Sequence, residues 1–231
     1  NCPRVQDVAA VNVQSQQADI VWNSSSDASS WYYMYGLKDS VVFDINNAEL
    51  AYEDSISLTN LMANTEYDIF IMSACDNGEN SEVVKYTFAT LCDPISTLPY
   101  RESFDTYGGS GSAYYPNCWY RKYVSTSSTT VSYPYIYSTY FNTAPASLYM
   151  YGLTSTPTYS VAIMQPFDDN INLNTLQVDL SLRTATLTNY LLVGVMTDPD
   201  NVSTFTVVDT LYCTATSVFE PKTSSLARFS P

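Results

Sequence analysis

The chain contains no histidine. That removes the usual general base, the Ser–His and Cys–His nucleophile pairs, and the commonest metal ligand. Basic residues are scarce: 9 Lys and Arg stand against 23 Asp and Glu, a formal net charge of −14. Such a surface repels phosphate backbones, which excludes nucleic acid as a default partner. No stretch approaches the roughly 20 apolar residues that a membrane-spanning helix needs. No two cysteines share the two-residue spacing of a zinc site, and no histidine could complete one. No metal and no cofactor are expected.

Against these absences stand 231 residues, 45% of them apolar. That suffices for a packed core and for two domains. Ser and Thr supply 54 residues and Tyr alone supplies 21. Val, Ile, Thr and Tyr suit half-buried pleated surfaces, and helical periodicity is hard to find. The expectation is an all-β chain with under about 5% helix. Many hydroxyls and few lysines suit an exported surface that binds neutral polar ligands or other proteins. The first residue is Asn1 rather than Met, and no signal peptide is seen, so a processed or excised fragment is expected. Five cysteines, Cys2, Cys75, Cys92, Cys118 and Cys213, read as structural disulfides in an oxidising compartment. The odd one has no partner, or one outside the fragment.

The two halves differ. Residues 1–92 carry 3 basic and 13 acidic side chains, whereas residues 93–231 carry 6 and 10. Thirteen of the 21 tyrosines lie between Tyr100 and Tyr159. Between the halves, 92–99 has two prolines and no periodicity and reads as a short stiff linker. The expected domains are 1–92 and 93–231.

In the first half, alternating runs recur with turn signals between them, the pattern of a β-sandwich. They are 17–22, 32–37, 41–45, 55–58, 67–75 and 82–90. Tyr67 opens a strand six residues after Leu61. A phenol there can cover the core and bond back to the upstream backbone, as in a tyrosine corner. Val21-Trp22, Leu61, Thr65-Glu66-Tyr67 and Tyr86-Thr87-Phe88-Ala89-Thr90 together resemble a fibronectin type III domain. With Cys2-Pro3, Cys75 and Cys92, the likeness is to the variant in Bacteroidetes surface proteins.

In the second half, strand-like runs cover 159–167, 176–182, 191–198 and 204–210. Glu102-Ser103-Phe104-Asp105, Cys118-Trp119 and the run from Val193 to Pro199 resemble MAM-like jelly-roll modules of the same bacteria. These are the cleaved-adhesin and choice-of-anchor J types. The chain departs from them after Trp119, where Tyr120-Arg121-Lys122-Tyr123-Val124 replaces the acidic run suited to calcium. At 139 residues the jelly roll is also short, so a longer protein with further domains is expected. The fibronectin topology implies a Cys2–Cys75 bridge, because strand A begins at the pole where strand F ends. Strand G then leaves Cys92 at the other pole, which implies a Cys92–Cys118 bridge.

Four groups of residues are candidate sites. Tyr133, Tyr135 and Tyr137 alternate, so in a strand all three share one face. Tyr140, Tyr149 and Tyr151 lie near them in sequence. Tyr114 and Tyr115 lie beside a flexible Gly-Ser loop at 108–112 that can adapt to a ligand. Aromatic faces stack on sugars and on protein surfaces, so these tyrosines are the expected ligand contacts. The alternative is that they cover the core. Asp198-Pro199-Asp200-Asn201 and Asp168-Asp169-Asn170 could supply oxygen ligands, but tight turns need the same residues, and the turn reading is preferred. Glu102 with Asp105, or Asp168 with Asp169, are the only nominees for catalysis by paired carboxylates, and nothing sets either pair in a cleft. Asp39-Ser40-Val41, Asp54-Ser55-Ile56 and Asp209-Thr210-Leu211 resemble the Bacteroidetes O-glycosylation pattern, which marks Ser40, Ser55 and Thr210. The expected function is a non-catalytic adhesin fragment, extracellular or at the cell surface, gripping a glycan, host protein or neighbouring protein. The alternatives are a structural spacer, or accessory modules of a secreted protease or glycoside hydrolase.

Overall fold

A computed structural model describes residues 2–125, 133–153 and 158–229. The chain is all-β: the described residues form strands and short 3-10 turns, with no α-helix among them. They divide into two compact units, Asn1–Asp93 and Pro94–Pro231.

The first unit has seven strands: β1 (Gln6–Val11), β2 (Gln17–Asn23), β3 (Ala28–Leu37), β4 (Glu49–Ala51), β5 (Ser55–Thr59), β6 (Glu66–Cys75) and β7 (Val84–Ala89). One sheet runs β1-β2-β5 and the other β4-β3-β6-β7, all antiparallel. This is the fibronectin type III order. Period-two alternation builds the core: Ala18, Ile20 and Trp22 of β2 face Ile69 and Ile71 of β6. Trp22 meets Trp31 edge to face at 5.8 Å between centroids. Tyr67 is buried against Phe88, and its hydroxyl accepts the Met62 N–H at 2.8 Å. The expected corner is therefore present. Cys2 and Cys75 are joined in a disulfide with Cα atoms 5.7 Å apart.

One expected strand is absent. Residues 41–45 leave the sheet and lead into a 3-10 turn at Ile45–Asn47, because the Asp44 carboxylate captures the Asn46 N–H at 3.0 Å. Val41 instead packs on Gly36.

The second unit contains β8 (Tyr120–Val124), β9 (Tyr135–Tyr137), β10 (Ser147–Tyr149), β11 (Gly152–Leu153), β12 (Thr158–Ile163), β13 (Gln177–Leu182), β14 (Tyr190–Val195), β15 (Thr206–Tyr212) and β16 (Glu220–Ser225). Among the described residues they pair antiparallel as β11-β12-β8, β9-β10, β13-β16 and β14-β15. The segment expected as a short stiff linker is anchored. Ile95 is buried, donates its N–H to the Pro166 carbonyl at 2.8 Å and accepts from Asp168 N–H at 2.9 Å. An apolar side chain between the two prolines binds the segment to the second unit.

Candidate ligand-binding face

The β9-β10 ribbon has two unlike faces. Ile136 is fully buried, while Tyr135 and Tyr137 on either side of it point the other way. Tyr135 lies directly opposite Tyr149 across the ladder. Their rings sit 5.5 Å apart, and Tyr149 also stacks on Tyr137 at 5.0 Å. Tyr133, just before β9, lies 5.1 Å from Tyr135 and stacks on Tyr151 at 4.9 Å. Tyr123 of β8 adds a ring 5.3 Å from Tyr133, and Tyr140 one 5.9 Å from Tyr137. Seven tyrosine rings thus form one connected face. Tyr123, Tyr133, Tyr135, Tyr137 and Tyr151 are half-buried, and Tyr140 and Tyr149 are exposed.

Partial burial pushes the hydroxyls of Tyr133, Tyr135 and Tyr149 above the usual phenol value. They therefore stay protonated near neutral pH and can donate as well as accept hydrogen bonds. The face carries no carboxylate. It can stack on flat apolar surfaces and hydrogen-bond around their edges, but it has no group that could transfer a proton at neutral pH.

The Gly-Ser loop, expected to be adaptable, is held down. Gly111 N–H donates to the Ile136 carbonyl at 2.8 Å, and Ile136 N–H donates to the Tyr114 carbonyl at 3.0 Å. The Tyr114 ring lies so close over Gly109 that a Cβ there would overlap it. Tyr115 is half-buried; its hydroxyl donates to the Tyr120 carbonyl at 2.8 Å and Arg121 lies 5.1 Å from its ring. Arg121 also donates to the Pro134 and Ser112 carbonyls. Tyr114 and Tyr115 thus brace the inner edge of β9.

Beyond Tyr140 the face opens into a groove of about 350 Å³, lined by Thr139, Tyr140, Phe141, Arg183, Ser217 and Phe219. The Arg183 guanidinium stands 3.9 Å from the Tyr140 ring centroid. Sequence reading passed over Arg183 and Phe219, which come from distant segments with no shared spacing.

Glu102, Asp168 and Asp198 make local hydrogen bonds. Glu102 accepts from Phe104 N–H at 2.6 Å and Tyr107 O–H at 2.5 Å. Asp168 accepts from Asn170 N–H at 2.9 Å, and Asp198 from Asp200 N–H at 2.8 Å, both in tight turns. Among the described residues no cluster of acidic and cysteine side chains could hold a metal. Ser40 is exposed in a turn and donates to the Leu37 carbonyl at 2.5 Å, Ser55 is exposed at the start of β5, and Thr210 is half-buried within β15. Cys92 and Cys118 are disulfide-bonded, and Cys213 is a buried free thiol. The disulfides fit an extracellular setting. No helix among the described residues is long and apolar enough to cross a membrane.

No family model matches the chain, and no curated protein matches it. Solved structures do. The fn3 domain of human collagen alpha-1(XX) chain is 14% identical, with a TM-score of 0.36 over 42% of this chain and 92% of that one. The FN1–FN3 domains of chicken CNTN1 are 17% identical, with a TM-score of 0.32 over 39% of this chain and 31% of that one. Chitinase ChiA74 from Bacillus thuringiensis is 22% identical, with a TM-score of 0.32 over 38% of this chain and 14% of that one. These likenesses concern fold alone.

Proposed function

We propose that the chain is a non-catalytic binding segment of an exported surface protein, and that the tyrosine face of the second unit grips a glycan. The observation that carries this reading is the connected row of seven rings on a ribbon whose opposite side is fixed by buried Ile136. Rings held by one another are already ordered, so a ligand does not have to immobilise them. At about 0.5–1.5 kcal/mol per well-placed ring, three or four rings give weak single-site binding, which suits repeated display on a surface. A protein ligand is the runner-up occupant of the same face.

In this reading the second unit is a MAM-like jelly-roll module of the Bacteroidetes adhesin type. The first unit acts as a stapled spacer, since its tyrosine corner and buried tryptophans serve its own core. Engagement of Glu102 and Asp168 in local hydrogen bonds speaks against a catalytic carboxylate pair.

Glycan-array binding by the whole chain and by a Tyr135→Ala/Tyr149→Ala variant tests the proposal. Binding by the wild type, lost in a variant with an unchanged circular-dichroism spectrum, is expected. Equal binding by both proteins, or no binding to any glycan, would overturn it.

A further inference from the structure

The nine basic side chains of this chain are largely engaged or fully exposed. Lys38 pairs with Glu66 at 2.8 Å, Lys85 with Asp68 at 2.8 Å, Lys122 with Asp200 at 2.6 Å and Lys222 with Glu220 at 2.8 Å. Arg121 braces backbone carbonyls. Arg4, Arg101 and Arg228 stand exposed on the surface. Arg183 alone is half-buried and lacks an acceptor for its guanidinium among the described residues.

Its position is prepared on both sides. The Leu182 carbonyl before it accepts the Cys213 thiol at 3.5 Å, and the Thr184 carbonyl after it accepts Ser217 N–H at 2.8 Å. The side chain lies over Tyr140, whose carbonyl accepts the Ser147 hydroxyl at 2.6 Å. Stacking engages the flat face of a guanidinium and leaves its in-plane N–H donors available. Those donors match a carboxylate in a two-pronged pair. The groove contributes hydroxyls from Thr139, Tyr140 and Ser217, two phenylalanine rings and no carboxylate. The nearest acid in sequence, Glu220, already accepts from Thr214 N–H, Ala215 N–H and Lys222.

We propose that this groove is the charged end of the tyrosine face and takes an acidic saccharide, with the sugar carboxylate on Arg183 and neighbouring rings of the chain on the tyrosines. The proposal rests on the reading of that face as a glycan-binding surface and adds the ligand's class. Charge complementarity carries it: an uncommitted cation in a groove without acids, on a chain of net charge −14, selects an anion at one point. The hydroxyl-rich, aromatic lining favours a sugar over an acidic peptide.

The test is titration of the whole chain with polygalacturonate and with its neutral, carboxyl-reduced form, alongside dextran sulfate and polyglutamate. Arg183→Gln should weaken polygalacturonate binding by about tenfold or more, the scale of one charge-assisted pair. It should leave binding of the reduced polymer unchanged, and Arg183→Lys should fall between the two. Matching unfolding midpoints establish that the variants fold. Equal polygalacturonate binding by wild type and Arg183→Gln would overturn the proposal while the tyrosine face stood. So would equal wild-type affinity for the reduced polymer. Tighter, Arg183-dependent binding of dextran sulfate or polyglutamate would overturn the carboxylated-sugar assignment. Failure to bind any polymer here or any glycan on the array would overturn the tyrosine-face reading with it.

Discussion

Tyr67 and Asp68, adjacent on β6, tie that strand to neighbouring chain in different ways. The partner of Tyr67 is local: the spacing from Leu61 returns its hydroxyl to the Met62 N–H. Tyr67→Phe keeps the ring and removes the acceptor of that part-buried bond. We expect it to lower the unfolding free energy of the first unit by about 0.5–1.5 kcal/mol, measured by denaturant titration. Asp68 was not legible. Its carboxylate accepts the Asp39 N–H at 2.7 Å, an ion pair from Lys85 at 2.8 Å and the Thr87 hydroxyl at 2.6 Å, and no local pattern joins those positions. The Asp39 N–H, Lys85 and Thr87 hold its pKa down at about 2. An unfolded aspartate titrates near 4, so the folded state binds the proton more weakly. The stabilisation is therefore complete above about pH 4 and is lost as pH falls through about 2. Glu220 in the second unit, held at about 2 by Lys222 and the Ala215 N–H, follows the same sign. Unfolding free energy measured from pH 5 downward should fall over this range, and Asp68→Asn should flatten the fall for the first unit. An unaltered acid limb in that variant would remove Asp68 from the account.

Strands were read best where alternation is strict. The run at 17–22 alternates because one face is buried, and it is β2; the run at 67–75 is β6, a central strand buried on both faces along most of its length. The sequence of β16, Glu220-Pro221-Lys222-Thr223-Ser224-Ser225, has no apolar residue to mark an inner face. It is a strand through its pairing with β13. The tyrosine face was half legible for the same reason. Tyr133, Tyr135 and Tyr137 share a face by spacing alone, whereas Tyr149 arrives through β9-β10 register and Tyr123 from β8. Nor does spacing say which side of a ribbon meets the core. Ile136, with none of its surface exposed, answers that. Ile136→Ala removes buried methyl groups and should destabilise the second unit by about 2–5 kcal/mol. Tyr135→Ala removes a half-exposed ring and should cost no more than about 1.5 kcal/mol, the scale of its ring contacts. Denaturant midpoints of the two variants compare them directly, and a larger loss for Tyr135→Ala would reverse the inside and outside of the ribbon.

The two units differ in how they are held. Fifteen of the buried apolar side chains among the described residues lie in the first unit and six in the second, although the second is the longer. The first unit also carries the Cys2–Cys75 bridge, which spans 73 residues and should contribute about 2–5 kcal/mol. From the fibronectin topology we expect Cys92 joined to Cys118, and non-reducing peptide mapping that found either joined elsewhere would refute this. Composition anticipated an all-β chain but not this imbalance, because the second unit's many tyrosines count as apolar in the sequence and yet largely remain at its surface. From this difference in buried apolar side chains among the described residues we expect the second unit to be the weaker one, since apolar burial dominates folding stability. Heating should therefore open the second unit before the first. Cys213 supplies the reporter. It is buried in the second unit, and burial raises its thiol pKa, so little reactive thiolate is available while the unit is folded. Labelling of an unreduced Trp119→Phe chain with a thiol reagent at stepped temperatures should begin at the first calorimetric transition, while its tryptophan signal, which then comes from Trp22 and Trp31 of the first unit, changes only at the second. Labelling that waits for the tryptophan change, or that is rapid in the native chain, would show that the second unit is not the weaker one or that Cys213 is open to solvent.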